Sequence, residues 1–131
     1  MNRIILILFI TFNWNCFSQT QHEMHKKASE EYKKADTELN NVYKKILTEY
    51  KADTNFIDRL IKAQCIWITH RDAELEMRFP AEDKQLEYGS VYPMCVSIFL
   101  KELTEERTEK LKIWLTGIEE GTICKGSIKI N

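Results

Sequence analysis

The residues best suited to chemistry or to specific binding lie in one stretch, Gln64–Asp72. As a helix, this stretch places Gln64, Trp67 and Arg71 on one face with Ile68, because residues three, four and seven apart share a side. An amide and a guanidinium directed towards a protein core need hydrogen-bonding partners, since unpaired buried polar groups are costly. The rest of the chain is therefore expected to supply those partners.

The expected partners are Asp36 and Asn40, which lie one helical turn apart beside an apolar stripe. We predict that Asp36 pairs with Arg71 and that Asn40 pairs with Gln64, because buried polar pairs can fix the register of two helices. Trp67, at the same place, is expected to belong to the core. A small-ligand site on the same face is the alternative to this structural role.

The other reactive side chains do not form a recognisable catalytic or metal site. His22 and His25 are three residues apart, whereas the zinc-protease motif needs a pair four apart and a third ligand. His70 adjoins Arg71, but neighbouring residues on a helix point in different directions. Cys65 has no histidine at a helical spacing that would activate its thiol. We therefore predict no enzymatic activity, no catalytic residue, no metal and no cofactor.

Three amphipathic helices account for most of the chain. Apolar residues recur at steps of three and four from Met24 to Tyr50. Cap-type residues at 53–55 open a second helix, which ends before Pro80. Ser90 is the expected N-cap of a third helix. The predicted fold is all-α, an antiparallel bundle of three helices, or of four if a kink at Thr104 restarts the last one.

The N-terminus is typical of a signal peptide. A single basic residue, Arg3, precedes the apolar run Ile4–Ile10, which is too short to span a bilayer comfortably. We predict a signal peptide over residues 1–18 and one helical domain over 19–131, with an irregular tail from about residue 117. The alternative is an uncleaved anchor. The expected location is periplasmic or extracellular, with no membrane attachment after signal removal.

Charge and cysteine content limit the classes of partner. The chain has 19 basic and 20 acidic residues, and loss of the signal peptide removes Arg3 alone, leaving 18 basic against 20 acidic. This balance argues against binding to nucleic acid. Cys65, Cys95 and Cys124 would remain, so at most one internal disulfide forms. The sequence does not show which two cysteines it joins. The oligomeric state is also left open.

An ordered set of residues over about 21–115 resembles the LprI-like lysozyme-inhibitor N-terminal domain family. The matching residues are Glu23, Met24, Tyr32, Ala35, Asp36, Leu39, Asn40, Tyr43, Gln64, Trp67, Arg71, Asp72, Gly89, Ser90, Tyr92, Pro93, Leu103, Thr104, Arg107 and Leu111. The resemblance implies a small secreted or periplasmic helical domain. It also implies inhibition of a lysozyme-type glycosidase, an activity known for the namesake, whereas most members have no known activity.

The chain departs from the family pattern at three cysteine positions. Lys27, Leu75 and Phe99 stand where family members commonly have cysteine. Cys65 and Cys95 lie in the second and third predicted helices. From the resemblance we therefore hypothesise that these two cysteines form a substitute disulfide.

If inhibition carries over, a protruding segment has to occupy a glycosidase cleft, which contains two carboxyl groups. The loop from Pro80 to Tyr92 is the expected segment, since it is polar, contains a glycine and carries acids that would attract a cationic lysozyme. The predicted partner-binding residues are Glu82, Asp83, Glu87, Gly89, Ser90 and Tyr92.

Local structure is the alternative explanation for three of these residues. Gly89 suits a turn, Ser90 suits a helix cap, and Tyr92 can pack inward. The competing functional classes are an inhibitor, a cell-envelope interaction module with an unknown partner, and a small-ligand binder.

Overall fold

The computed structural model describes the backbone of residues 2–131 and the side chains of residues 20–131. The signal peptide predicted over 1–18 lies outside the fully described residues and stays a prediction. The helices are α1 (Asn2–Glu49), α2 (Thr54–Arg78), α3 (Lys84–Tyr88) and α4 (Tyr92–Thr116), and a 3-10 turn covers Gly89–Val91. The predicted all-α bundle of three long helices is confirmed.

Helices α1 and α4 run parallel and pack most closely against each other. Small or short side chains line this seam, with Ala28 and Ala35 on α1 and Thr104 and Thr108 on α4 all buried. Short side chains let two helix backbones approach closely. The seam is therefore the rigid part of the bundle, and α2 packs against it in the opposite direction.

The core lies between α1, α4 and the first half of α2. Its buried members are Leu39, Val42, Ile46, Leu60 and Leu111, with Phe56, Trp67 and Trp114 packed around them. Burial of such side chains stabilises a fold by about 1.5–3 kcal/mol each. The apolar stripe predicted in the first helix thus forms one wall of this core.

The predicted start and end of α2 agree with its capping. The Asp53 carboxylate accepts a hydrogen bond from the Phe56 amide at 3.0 Å, which satisfies one of the free amides at the helix start. The helix ends at Arg78, and Phe79 forms its C-cap immediately before Pro80. This capping defines both ends of α2.

Helix α4 continues through Thr104 without a second start. The Thr104 hydroxyl donates to the Leu100 carbonyl at 2.7 Å, so it bonds back within its own helix and does not cap a new one. Of the two predicted forms of the bundle, the structure has the three-helix form, with α3 as a short addition between α2 and α4.

The chain after α4 folds back across the end of the bundle. Gly117, with a φ of 76°, ends the helix, and a β-carbon there would collide with Asn131. The Ile118 amide donates to the Lys129 carbonyl at 3.0 Å. The Lys129 ammonium contacts Glu49 at 3.1 Å. These contacts hold the last residues against α1 and α4.

Among the described residues, no helix is both long enough and apolar enough to cross a membrane.

Candidate functional site

The Gln64–Arg71 face is only partly buried: Gln64, Trp67 and Arg71 are half-buried, whereas Ile68, expected on the same face, is 41% exposed. The Arg71 side chain is only 17% exposed and donates two hydrogen bonds to Asp72, at 2.9 and 2.7 Å. Its guanidinium carbon also lies 5.5 Å from the centroid of the Trp67 ring. A cation over an aromatic face is attracted to it by the ring quadrupole. Arg71 is therefore satisfied by two residues of its own helix.

The predicted pairs Asp36–Arg71 and Asn40–Gln64 are wrong. The Asn40 amide donates to the Asp36 carboxylate at 3.1 Å and to the Asp36 carbonyl at 2.9 Å, entirely within α1. Gln64 instead accepts a hydrogen bond from the Arg107 guanidinium at 3.0 Å. The reason is spacing: α1 packs closely on α4 but not on α2, so short side chains of α1 do not reach across.

Arg107 on α4 is the partner that the sequence reasoning missed. Its guanidinium carbon lies 5.9 Å from the Trp67 centroid, so Trp67 contacts two guanidinium groups, those of Arg71 and Arg107. Partial burial lowers the pKa of Arg107, and Gln64 supplies a neutral acceptor for it. The position of Arg107 on the apolar face of the third predicted helix could have identified it as a partner of Gln64.

Tyr32, on α1, is half-buried and lies within electrostatic reach of charged groups on α1 and α2. Burial raises the pKa of its hydroxyl, the nearby Arg71 charge lowers it, and the charges of Asp36 and Asp72 raise it. The Tyr32 hydroxyl thus senses the charges of Asp36 on α1 and of Arg71 and Asp72 on α2. Together with Trp67, it gives this face a structural role in joining α1, α2 and α4.

The residues after α2 form a compact structure, here called the α3 segment (residues 80–92), on an aromatic base. The Phe79 ring meets Tyr88 and Tyr92 edge-on, each at 5.3 Å between centroids. The two tyrosine rings stack at 5.7 Å. The Tyr88 hydroxyl also accepts a hydrogen bond from the Ala81 amide at 3.1 Å. This base joins the start of the segment to its end.

Lys84 braces the same segment from within. Its ammonium donates to the Glu76 carboxylate at 2.9 Å and to the carbonyls of Phe79 and Ala81 at 2.8 and 3.3 Å. The hydrogen bond with Glu76 raises the pKa of Lys84. One side chain thus ties the end of α2 to the turn and to the start of α3, although no motif in the sequence marks this function.

The outer surface of the α3 segment is acidic with an apolar tip. Leu86 is 84% exposed and projects from α3 between the exposed residues Glu82 and Glu87. The Asp83 carboxylate accepts a hydrogen bond from the Leu86 backbone amide at 2.9 Å and so caps α3. Of the three predicted acids, Glu82 and Glu87 are therefore free to face a partner.

The residues predicted at the end of the segment have separate surroundings. Gly89 has a φ of 70°, which glycine adopts without strain, and so provides the expected turn. Ser90 is not the predicted helix cap. Its hydroxyl accepts a hydrogen bond from the Gln21 amide at 2.8 Å, because the 3-10 turn shifts the start of α4 to Tyr92 and leaves Val91 as a cap without side-chain bonding. Tyr92 packs in the aromatic base.

The hypothesised Cys65–Cys95 disulfide is also wrong. Cys65, Cys95 and Cys124 are all free thiols. Because α2 and α4 are antiparallel, Arg78 at the end of α2 contacts Phe99, one turn from Cys95. Cys65 lies 13 residues before Arg78, or about 20 Å along the helix, far beyond disulfide reach.

The described side chains do not include a group of three or more His, Cys, Asp or Glu residues that could hold a metal.

Two comparisons with known proteins gave matches. The family model of the lysozyme inhibitor LprI matches residues 16–111. A protein of Rhizobium meliloti, described as uncharacterized, is 33% identical over 105 residues, a match that covers 71% of this chain and 72% of the relative. No solved structure matches the chain. The family match includes α2, the α3 segment and most of α4.

Proposed function

The chain belongs to the LprI lysozyme inhibitor family, and from this premise we propose that it is an exported protein that binds and inhibits a lysozyme-type glycosidase through its α3 segment. The family takes its name from lysozyme inhibition. The observation that carries the proposal is the projecting, internally braced segment between α2 and α4, with Leu86 at its tip.

Preorganisation favours this segment as the binding surface. The Lys84 ammonium and the aromatic base hold residues 79–92 in one shape before any partner arrives. A loop that is already ordered loses little conformational entropy on binding, so more of the contact energy appears as affinity. The α3 segment therefore meets a physical requirement for a tight inhibitor.

Charge and apolarity suggest how the segment would sit on the enzyme. The catalytic cleft of a glycosidase holds two carboxyl groups, which would repel acids placed between them. The apolar Leu86 is thus suited to the cleft, and Glu82 and Glu87 to the rim of a cationic enzyme. Complementary charge at the rim chiefly accelerates association. Binding of this kind blocks the substrate without any covalent step.

Export is part of the proposal. A lysozyme acts outside the cytoplasm on cell-wall polymer, and the basic residue and apolar run at positions 3–10 favour delivery to that compartment. Recovery of the protein in the periplasmic or medium fraction, with residue 19 as its new N-terminus, is the expected result.

The test is a lysozyme assay on suspended bacterial cell walls with the purified protein in micromolar excess. The double variant Glu82→Lys/Glu87→Lys should weaken inhibition at least about tenfold at low ionic strength, and less at high salt. The matched control is Glu119→Lys/Glu120→Lys, which makes the same charge change at two exposed tail residues. Circular dichroism confirms that each protein is folded.

A folded wild-type protein that leaves every cationic lysozyme tested fully active would overturn the inhibitor proposal and favour an envelope interaction module. Equal loss of inhibition in the α3 and tail variants would show that net charge matters but the segment does not.

A further inference from the structure

A second surface site lies where the end of α2 meets the first turns of α4. It is a small hollow of about 190 Å³ lined by Arg78, Phe79, Cys95, Ile98, Phe99 and Glu102. Four of these residues lie on one face of α4, at spacings of three, four and seven. The hollow thus has fixed walls supplied by two packed helices.

Arg78 is held in place but has no anionic partner. Its guanidinium carbon lies 4.6 Å from the centroid of the Phe99 ring, which fixes its position over the buried aromatic floor. Across the described residues, Arg78 forms no ion pair within 4.0 Å. A stacked guanidinium keeps its planar donors, and these match a carboxylate in a bidentate manner.

Glu102 provides the opposite charge on the same wall. It is one turn from Phe99, yet it lies beyond ion-pair distance of Arg78, and the described side chains give it no ion pair at all. The hollow is therefore lined by one cationic and one anionic side chain, and neither forms an ion pair with a described residue. Phe79 and Ile98 supply apolar surface to the same hollow.

Three lysines line the larger groove between α1 and α4; Lys34 forms no ion pair with a described residue, and the other two are paired. It encloses about 610 Å³, but Lys101 is bonded to Glu31 at 3.1 Å and Lys112 to Glu109 at 2.8 Å. A ligand that binds Lys101 or Lys112 would have to break existing ion pairs, which offsets the gain from new ones. The smaller hollow is the better candidate for binding because its charges are available.

We propose that the Arg78–Glu102 hollow binds a small apolar α-amino acid, or the equivalent zwitterion, with its carboxylate on Arg78 and its ammonium on Glu102. The side chain of the ligand packs against Phe79 and Ile98. The volume of about 190 Å³ admits a molecule of this size. Neither charged group belongs to the α3 segment, and Phe79 is shared between the hollow and the aromatic base of that segment.

Cys95 offers a direct reporter of occupancy, since its half-buried thiol lines the hollow. The purified protein is treated with iodoacetamide, with or without L-leucine, and alkylation is followed by mass spectrometry of the Cys95 peptide. At ten times the dissociation constant, L-leucine should slow alkylation of Cys95 about tenfold, because little free protein remains. Alkylation of the exposed Cys65 in the same sample serves as the internal control and should not change.

Variants and analogues identify the two charged contacts. Arg78→Gln and Glu102→Gln should each weaken protection about tenfold or more, since each removes a charge-assisted hydrogen bond. Arg59→Gln, an exposed arginine elsewhere on α2, should leave protection unchanged. N-acetyl-leucine lacks the ammonium and leucine amide lacks the carboxylate, so both should protect poorly.

Absence of saturable protection by leucine in the folded wild-type protein overturns the site. Equal protection by leucine and N-acetyl-leucine overturns the assignment to Glu102. Equal slowing at Cys65 and Cys95 also contradicts the proposal, because it indicates a global effect of the additive.

Discussion

Removal of the Leu86 tip is expected to weaken inhibition without weakening the fold. Leu86→Ala removes three carbon atoms from a side chain that is 84% exposed in the free protein. Burial contributes about 0.8 kcal/mol for each carbon, so full burial in a complex, weighted by that exposure, gives about 2 kcal/mol. This free energy corresponds to about a thirtyfold increase in the inhibition constant.

Inhibition constants are measured by titrating a fixed lysozyme concentration and following the clearance of cell walls. The fold should be unaffected, because Leu86 contributes little to the core and alanine is a better helix former. Ile123→Ala is the matched control, since Ile123 is 87% exposed in the C-terminal tail. An inhibition constant that changes less than about twofold in Leu86→Ala, or equally in both variants, would refute the reasoning.

Three further predictions concern the scaffold. Ile46→Ala, at a fully buried core position, should lower the free energy of unfolding by about 2–5 kcal/mol in urea titration, and a loss below 1 kcal/mol would contradict the assigned core. Lys84→Met should accelerate amide exchange over residues 79–88 while leaving α1 unchanged; unaltered exchange would mean that the ammonium does not brace the segment. The hydrogen bond from Lys101 lowers the pKa of Glu31, so this contact stabilises the protein above about pH 4.5 and is lost as pH falls through the lowered value. Lys101→Met should flatten that part of the stability profile, and an unchanged acid limb would refute the link.

The helices could be predicted because their signals are local. The apolar stripe from Met24 to Tyr50 appears in the structure as the α1 wall of the core, and Asp53 caps α2 where cap-type residues were found. A helical period and a cap need no knowledge of the neighbouring helix. The family match over residues 16–111 confirmed the resemblance.

The partners of the polar residues could not be predicted because they depend on how far apart the helices stand. Gln64 and Arg71 were correctly expected to face inward, but the sequence does not say that α4, and not α2, packs most closely on α1. Arg107 therefore meets Gln64, while Asn40 turns back to Asp36. Helical periodicity shows which face of a helix is buried, but it does not show which other helix packs against that face.

The α3 segment also has contacts that could not be predicted from the sequence. Its acids and Gly89 are visible in the sequence, and the turn at Gly89 was expected. The Lys84 contacts with Glu76 and two carbonyls depend on the path of the chain after Pro80. The shift of Ser90 from a cap to a contact with Gln21 depends on the 3-10 turn, which the sequence pattern did not indicate.

The central claim is that the α3 segment carries the contact with a lysozyme. Amide hydrogen exchange, measured with and without a saturating cationic lysozyme, tests it most directly. Amides of residues 82–91 should become protected, whereas the outer face of α2 around Ile66 should exchange at the same rate in both samples. Protection confined to another surface, or no protection while lysozyme is inhibited, would contradict the claim.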